Sequence, residues 1–354
     1  MSKMDHKNNC VDERVHLAIS PWDLTDDYNR HAGVTLLSFL DHCSLPVTAH
    51  ILYDEKLSVG KEAGVKFNKQ CYQEIADRYG CELVYHHVEL PEWVDNSPIF
   101  KKAWSPGAMM RLYLPELLPN ADKVIYLDCD IVVRTNIVDL WNIPLGSKYL
   151  AACLDGAIVN ESPWNRKRLY WNVGIILEKY FNSGVLVLNL KELRGLTESF
   201  SDILLSYYKE HSNLPYPDQD LLNWFCRGDY VLLDEKYDVF SWWDNAMDYS
   251  DDCIIHYTLG KPWKNYSGLI DDYYWIYLEK TPWCLDSSDL RSYLRLAPDL
   301  ELSRDIMSKH FFVTVYGSTT KKLQTALRFL FSVSIICIYD GLCHILRTLR
   351  PWLK

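Results

Sequence analysis

Two carboxylates one residue apart, Asp128 and Asp130, interrupt an otherwise apolar, β-rich run from Lys123 to Val133 (Lys-Val-Ile-Tyr-Leu-Asp-Cys-Asp-Ile-Val-Val). A lone ionised carboxylate is costly in such surroundings, so each must find a partner or lose its charge. Read as one extended segment, the run puts positions i and i+2 on the same side, and both carboxylates face one point. Hard oxygen ligands of this kind suit Mg²⁺ or Mn²⁺, and Mg²⁺ commonly takes one or two protein carboxylates together with substrate phosphates. The spacing therefore predicts a metal–diphosphate site at the carboxyl end of a strand, where open α/β sheets bind ligands. Asp218-Gln219-Asp220 repeats the spacing, so a turn with solvated aspartates is the competing reading. The apolar flanks set Asp128 and Asp130 apart from it.

Such a site needs strands to hold it. Val15 to Ser20 reads as a first strand and leads into a polar loop, Pro21 to Tyr28. A helix from His31 to Cys43 follows, with Val34, Leu37 and Leu40 on its apolar face. Val47 to Tyr53 is a second strand, Phe67 to Tyr79 a helix closed by Gly80, and Cys81 to Leu90 a third strand. This β-α-β-α-β order predicts an α/β fold with a parallel, doubly wound half of nucleotide-binding type, although no G-x-G-x-x-G follows the first strand. Further along, Ala108 to Leu117 reads as a short helix carrying Arg111. Tyr149 to Asp155 reads as a small strand ending on a carboxylate, and Phe181 to Asn189 as another strand. Residues 162–177, with Trp164, Arg166, Lys167, Arg168 and Trp171, read as a loop. A helix spans Glu192 to Lys209, and a second starts near Pro217 with aspartates placed to cap it. Cys253 to Tyr257 is a last strand.

Charge and composition narrow the function. The chain has 354 residues, 48% hydrophobic and 24% charged, which is ordinary globular composition. Its 11 cysteines are scattered, with no CxxC pair, and favour reduced cytosolic thiols. Residues 1–9 are polar and lack an apolar h-region, so no signal peptide is expected. A formal charge of −10 argues against a nucleic-acid partner. Residues 316–354 differ, carrying six basic residues against Asp340 alone. Leu323, Leu327 and Leu330 share a helical face near Lys321, Lys322 and Arg328, and the apolar stretch from Phe329 to Tyr339 is shorter than the roughly 20 residues a bilayer span needs. Basic residues beside such a face fit a helix lying in a membrane interface, the alternative being a helical hairpin against the body.

The order of motifs is recognisable as a whole. Tyr28 precedes a helix with Leu36-Leu37-Ser38, and Arg111 lies in Met-Met-Arg-Leu-Tyr-Leu. Tyr-Leu-Asp128-Cys-Asp130, Phe-Asn182-Ser-Gly184, Pro-Asp218-Gln219-Asp220 and His256-Tyr-Thr-Leu-Gly260-Lys261-Pro-Trp263 follow. Together, over about residues 15–263, they resemble the retaining glycosyltransferases of family 8, a group that includes bacterial lipopolysaccharide galactosyl- and glucosyltransferases and glycogenin. The resemblance implies a GT-A fold: a Rossmann-like, mostly parallel sheet with helices on both faces, plus a C-terminal helical appendage. It implies a UDP-hexose donor (galactose or glucose), a glycan or glycolipid acceptor, and Mn²⁺, with Mg²⁺ as the other option. Asp128, Asp130 and His256 would be the metal ligands, and an imidazole beside two carboxylates favours Mn²⁺. Gly260 and Lys261 would meet the diphosphate, Lys261 as a point charge. Arg111 would reach the donor sugar or its phosphate, and Asp27 and Tyr28 the nucleoside. Positions matching Asp155, Asn182 and Asp218 bind hydroxyls of the transferred sugar. Gln219 would lie near the anomeric carbon opposite the leaving group and, with Asp218, forms the candidate catalytic pair.

The chain departs from that family's pattern twice. The first loop, Ser20 to Tyr28, is longer than the usual Asp-containing turn, and the segment from His256 to Lys261 is one residue shorter than usual. Three rivals fit less well. A sugar-phosphate nucleotidyltransferase would show a Gly-rich loop with Arg and Lys after the first strand, which Ser20 to Tyr28 lacks. An inverting GT-A enzyme would need a late carboxylate base and an Arg-Trp pair, and Gln219 to Trp224 lacks that arginine. A catalytically silent membrane scaffold would not need Asp128, Asp130, His256 and Gln219 intact. The expected organisation is a polar N-terminal extension at 1–14, a catalytic domain at 15–280 and a helical, membrane-associating region at 281–354. The expected location is cytoplasmic, at the inner face of a membrane.

Overall fold

The computed structural model describes residues 14–22, 28–54, 62–97, 99–100, 105–161, 164–241, 252–258, 260–264 and 269–284. The expectations for Asp27 and for 285–354 lie outside them. The described residues between 14 and 262, with 269–284, group as one compact unit. Among the described residues no helix is long and apolar enough to cross a membrane.

The N-terminal half follows the sequence pattern closely. Strands β1 (Val15–Ile19), β2 (Val47–Tyr53) and β3 (Glu82–His87) pair in parallel. Helices α1 (Tyr28–Asp41) and α2 (Glu62–Tyr79) make the crossovers between them. Gly80 ends α2 at φ 63°, a left-handed position that glycine takes without steric cost.

Strands β4 (Val124–Leu127), β5 (Ile131–Val133), β6 (Leu150–Leu154), β7 (Phe181–Leu188), β8 (Val231–Leu232), β9 (Val239–Phe240) and β10 (Ile254–His256) complete two sheets. The large sheet runs β3-β2-β1-β4-β7-β6-β8 and the small one β5-β10-β9. In the large sheet only β7 opposes its neighbours, β4 and β6. Side chains alternate across it. Ala18, Val124, Tyr126, Leu186 and Leu188 enter one core with Leu204 and Tyr208 of helix α3 (Phe200–Glu210) and Leu221 of helix α4 (Pro217–Cys226). Leu17, Ile125, Leu127 and Val187 point the other way and are also buried. On that side α1 packs against β5, α2 and helix α5 (Leu269–Lys280). Helices therefore cover both faces of a mostly parallel sheet, and the near-continuous apolar strands follow from that double burial.

Three local expectations change. The run from Lys123 to Val133 is two strands in different sheets, with residues 128–130 as the turn between them. Asp128 N–H bonds Gly184 O at 2.8 Å as a last rung against β7, and Asp130 O accepts Tyr257 N–H at 2.9 Å beyond β10. Both strands are fully buried, so an unbroken apolar pattern hides the change of sheet. Residues 164–173 are helical rather than a loop. Tyr170 anchors this segment by stacking on Tyr180, 5.3 Å between ring centroids, in a small cluster with Ile158 and Ile175. Tyr170 is buried while the adjacent Trp171 is exposed, so the segment's apolar residues leave no 3.6-residue repeat to read. The helix expected from Glu192 to Lys209 breaks into Leu190–Arg194 and α3, where Ser199 Oγ accepts Asp202 N–H at 3.2 Å as an N-cap.

Candidate active site

The turn at 128–130 is held from below by α1. Thr35 Oγ1 donates to Ile131 O at 2.9 Å, and Ser38 Oγ accepts Val133 N–H at 3.0 Å. The turn and the end of β10 bring Asp128, Asp130 and His256 together, one ligand atom of each lying within 4.8 Å of the others. His256 Nε2 is 3.4 Å from Asp130 Oδ1 and 3.8 Å from Asp128 Oδ2. The carboxylates thus converge because the chain turns between two sheets, not because of strand pleating. Gly184 on β7 allows the imidazole its place, since a Cβ there would overlap the ring.

Behind this triad lies a buried polar network. Arg111 sits in a 3₁₀ segment, Pro106–Tyr113, begun by Ser105 and Pro106. Its guanidinium lies over the Tyr126 ring and bonds Asp128 Oδ1 at 2.8 Å and Ser183 O, with Asp218 Oδ2 at 3.4 Å. Arg111 is only 3% exposed, so its planar fork ties the turn at 128–130 to the start of α4. Pro217 occupies the first turn of α4, as expected, and Asp220 Oδ2 accepts Tyr216 N–H at 2.9 Å. Gln219, on the same turn, accepts Ser183 N–H at 3.0 Å through Oε1 and donates to Asp155 Oδ2 at 3.1 Å through Nε2. Asn182 Nδ2 reaches the same Asp155 oxygen at 3.3 Å, and Ser183 Oγ donates to Asp218 Oδ2 at 3.0 Å. Asp155 follows β6 and accepts Ile158 N–H at 3.0 Å through its other oxygen. The structure therefore gathers Arg111, Asp128, Asp155, Asn182, Asp218 and Gln219 into one connected set.

Electrostatics follow from these neighbours. Burial alone would push the His256 ring down, but the Asp238 and Asp130 carboxylates outweigh it and raise it to about 10. Burial would raise Asp130, yet Lys261 and His256 hold it below the usual carboxylate range. Lys261 Nζ bonds Asp130 Oδ2 and Tyr257 O directly. Burial lifts Asp220 to about 7 despite bonds from Tyr180 and Tyr216. Two carboxylates and an imidazole form a donor set that fits a divalent cation.

Tyr28 begins α1, 37% exposed and edge-on to His31. Gly260 lies near Ser241, and a Cβ there would sit 3.8 Å from Ser241 Oγ. Two participants are absent from the expected set. Asp238 bonds His256 Nδ1 at 2.8 Å, and Ser183 joins Asp218 to Gln219. Ser183 lies within the Phe-Asn-Ser-Gly landmark and could have been found there. Asp238 precedes a two-residue strand and carries no local signal.

Similar proteins agree with the architecture. A Haemophilus influenzae relative is 26% identical over 211 residues, 59% of either chain. The lipopolysaccharide 1,2-glucosyltransferase of Escherichia coli K12 is 30% identical over 202 residues, 52% of this chain and 58% of that one. The chain thus spans less than two thirds of the length of both. The crystal structure of the galactosyltransferase LgtC with donor and acceptor sugar analogues superposes with a TM-score of 0.59 at 20% identity, over 76% of this chain and 96% of that one. That likeness establishes a shared GT-A-type fold. The family profile of glycosyl transferase family 8 matches residues 22–267, and with the fold and motif order in place the chain belongs to that family.

Proposed function

We propose that this protein moves a hexose, galactose or glucose, from a UDP-hexose to a glycan or glycolipid acceptor with retention of configuration, in surface-polysaccharide or lipopolysaccharide synthesis. The observation that carries this reading is the meeting of Asp128, Asp130 and His256 beside the network of Asp155, Asn182, Asp218 and Gln219. Mn²⁺, with Mg²⁺ as the other option, would be held by the first three and would supply charge neutralisation on the leaving diphosphate. Lys261, already beside Asp130, adds a fixed positive charge for the same diphosphate. No general acid is needed for a leaving group of that kind, unlike the two-carboxylate scheme of glycosidases.

Gln219 is oriented rather than free to rotate. With Nε2 committed to Asp155 and Oε1 to Ser183 N–H, its amide dipole is fixed against β7. A preorganised carbonyl oxygen stabilises positive character at an anomeric carbon without reorganising during the reaction. Asp155, Asn182 and Asp218 retain acceptor capacity for sugar hydroxyls. In this reading the acceptor hydroxyl attacks on the face the diphosphate leaves from and passes its proton to a diphosphate oxygen, which gives retention. The basic, apolar tail supports attachment to the inner face of a membrane, where a glycolipid acceptor would be met.

The test is a panel of UDP-sugars with and without Mn²⁺, reading UDP release and product anomeric configuration. UDP-galactose or UDP-glucose should be cleaved only with the cation, and the product should keep the donor's α configuration. UDP release that ignores divalent cations, or a β-linked product, would overturn the reading. A glycosyl-enzyme trapped in Gln219→Glu would replace the one-step route by a two-step one. Co-sedimentation with vesicles containing phosphatidylglycerol tests the tail, and a chain that stays in the supernatant removes the membrane proposal.

A further inference from the structure

His256 is the cation-site residue that the small sheet contributes, and its ring is set by its surroundings. β9 and β10 pair in parallel with Phe240 opposite His256, and Ser241 N–H bonds His256 O at 3.1 Å. Phe240 meets the imidazole edge-on at 5.8 Å, and Gly184 lies against the same ring. Asp238, the residue before β9, points Oδ1 at Nδ1 from 2.8 Å. The other nitrogen, Nε2, faces Asp128 and Asp130.

Asp238 has an unusual economy of contacts. Its side chain is 0% exposed, and its one side-chain hydrogen bond among the described residues goes to His256, while Oδ2 has no partner. A buried carboxylate with a single bond is costly, so packing or capping does not explain it. A neutral imidazole carries its proton on one nitrogen, and the hydrogen bond made by one nitrogen decides the state of the other. An ionised carboxylate can only accept, so it requires Nδ1–H and leaves the Nε2 lone pair facing the two aspartates.

We propose that Asp238 is a positioning residue for the cation site, holding His256 in the Nδ1–H tautomer and orientation that let Nε2 act as a ligand. This rests on the reading of Asp128, Asp130 and His256 as a divalent-metal site. Carboxylate–histidine–metal relays are the general form of such support, and losing the outer partner typically weakens metal binding about 10–100-fold. Asparagine at 238 is isosteric but can turn its NH₂ toward Nδ1. The ring proton would then sit on Nε2, where a cation must bind.

The test uses the full chain as wild type, Asp238→Asn, Asp238→Ala and His256→Ala. Each is titrated with Mn²⁺ alone, reading free Mn²⁺ by electron paramagnetic resonance. Thermal unfolding midpoints and ¹⁵N-histidine spectra of the Mg²⁺-loaded proteins accompany the titrations. Both Asp238 variants should bind Mn²⁺ about 10–100-fold more weakly while still unfolding in one cooperative transition. The His256 Nδ1–H signature present in wild type should be lost in Asp238→Asn. If both variants bind like wild type while His256→Ala does not, the proposal is overturned and the metal reading stands. If His256→Ala also binds like wild type, the metal reading itself falls, and this proposal with it.

Discussion

His256 and His50 are both buried, 3% and 6% exposed, yet their surroundings drive them to opposite charge states. His256 stands among carboxylates and is raised to about 10. His50 is the middle of a row of imidazoles crossing β1, β2 and β3. His16 Nδ1 lies 3.0 Å from His50 Nε2, and His50 Nδ1 lies 2.9 Å from His86 Nε2. Burial, then the neighbouring His16 and His86, pushes His50 down to about 3. Desolvation acts in the same direction on both rings, so the neighbours decide the outcome. Each N–H···N contact in the row needs one proton between two nitrogens, which neutral rings supply when all share one tautomer. At the other site a proton on the ring balances carboxylates, and a cation is its natural replacement.

The contrast predicts different responses to change. Removing a ligand should have the largest effect. Asp130→Ala or His256→Ala should lower metal-dependent UDP-hexose turnover on the order of 10³-fold, since several kcal/mol of charge stabilisation depend on the site. Wild-type turnover in either variant would separate the triad from catalysis. The second effect is in pH. His256 is protonated in the metal-free protein up to about 10, and a ligand must give up that proton. Mn²⁺ affinity should therefore rise with pH, by up to about tenfold per unit through the neutral range, and a flat titration series would contradict the His256 assignment. Without metal the sign reverses for stability. A folded value raised above 6.5 means that this histidine's contribution is complete below pH 6.5 and is lost as pH rises through about 10.

Smaller effects sharpen the comparison. Gly184→Ala pushes a methyl group into the His256 ring and should cost about 1–3 kcal/mol in denaturant unfolding, with weaker Mn²⁺ binding in the same protein. His50 tests the other region. Its folded value lies below 6.5, so the unfolded chain binds a proton that the native state refuses, and stability should fall as pH drops from 6.5 toward 3. His50→Leu should reduce the loss between pH 7 and pH 4.5 by on the order of 1–2 kcal/mol, measured by urea unfolding at both values. An unchanged pH slope would mean that the row carries no proton linkage.

Much of this architecture was legible in the sequence, and the reasons are local. Val47 to Tyr53 coincides with β2, and Gly80 closes α2, because a buried apolar run and a left-handed glycine are strong signals. Asp128 and Asp130 stood out for the same reason, as charges where charge is costly. What could not be read depends on distant partners. Nothing within the run from Lys123 to Val133 tells that its two halves join different sheets, since both are buried alike. Asp238 was invisible because its importance lies in a ring 18 positions later in the chain. Arg111 was recognisable as a motif residue, but its burial between Asp128 and Asp218 exists only once β7 and α4 are assembled.

The bend at residues 128–130 has a mechanical side. Its first aspartate is fastened to β7 and its second to the strand end beyond β10, so one short arc is shared by two hydrogen-bonded ladders. An ion gripping both aspartates and His256 would rivet those ladders at their seam. Any slip of the small sheet against the large one would change the bite of the pincer before it changed anything else, so the grip on such an ion and the fit of the two sheets would become a single degree of freedom.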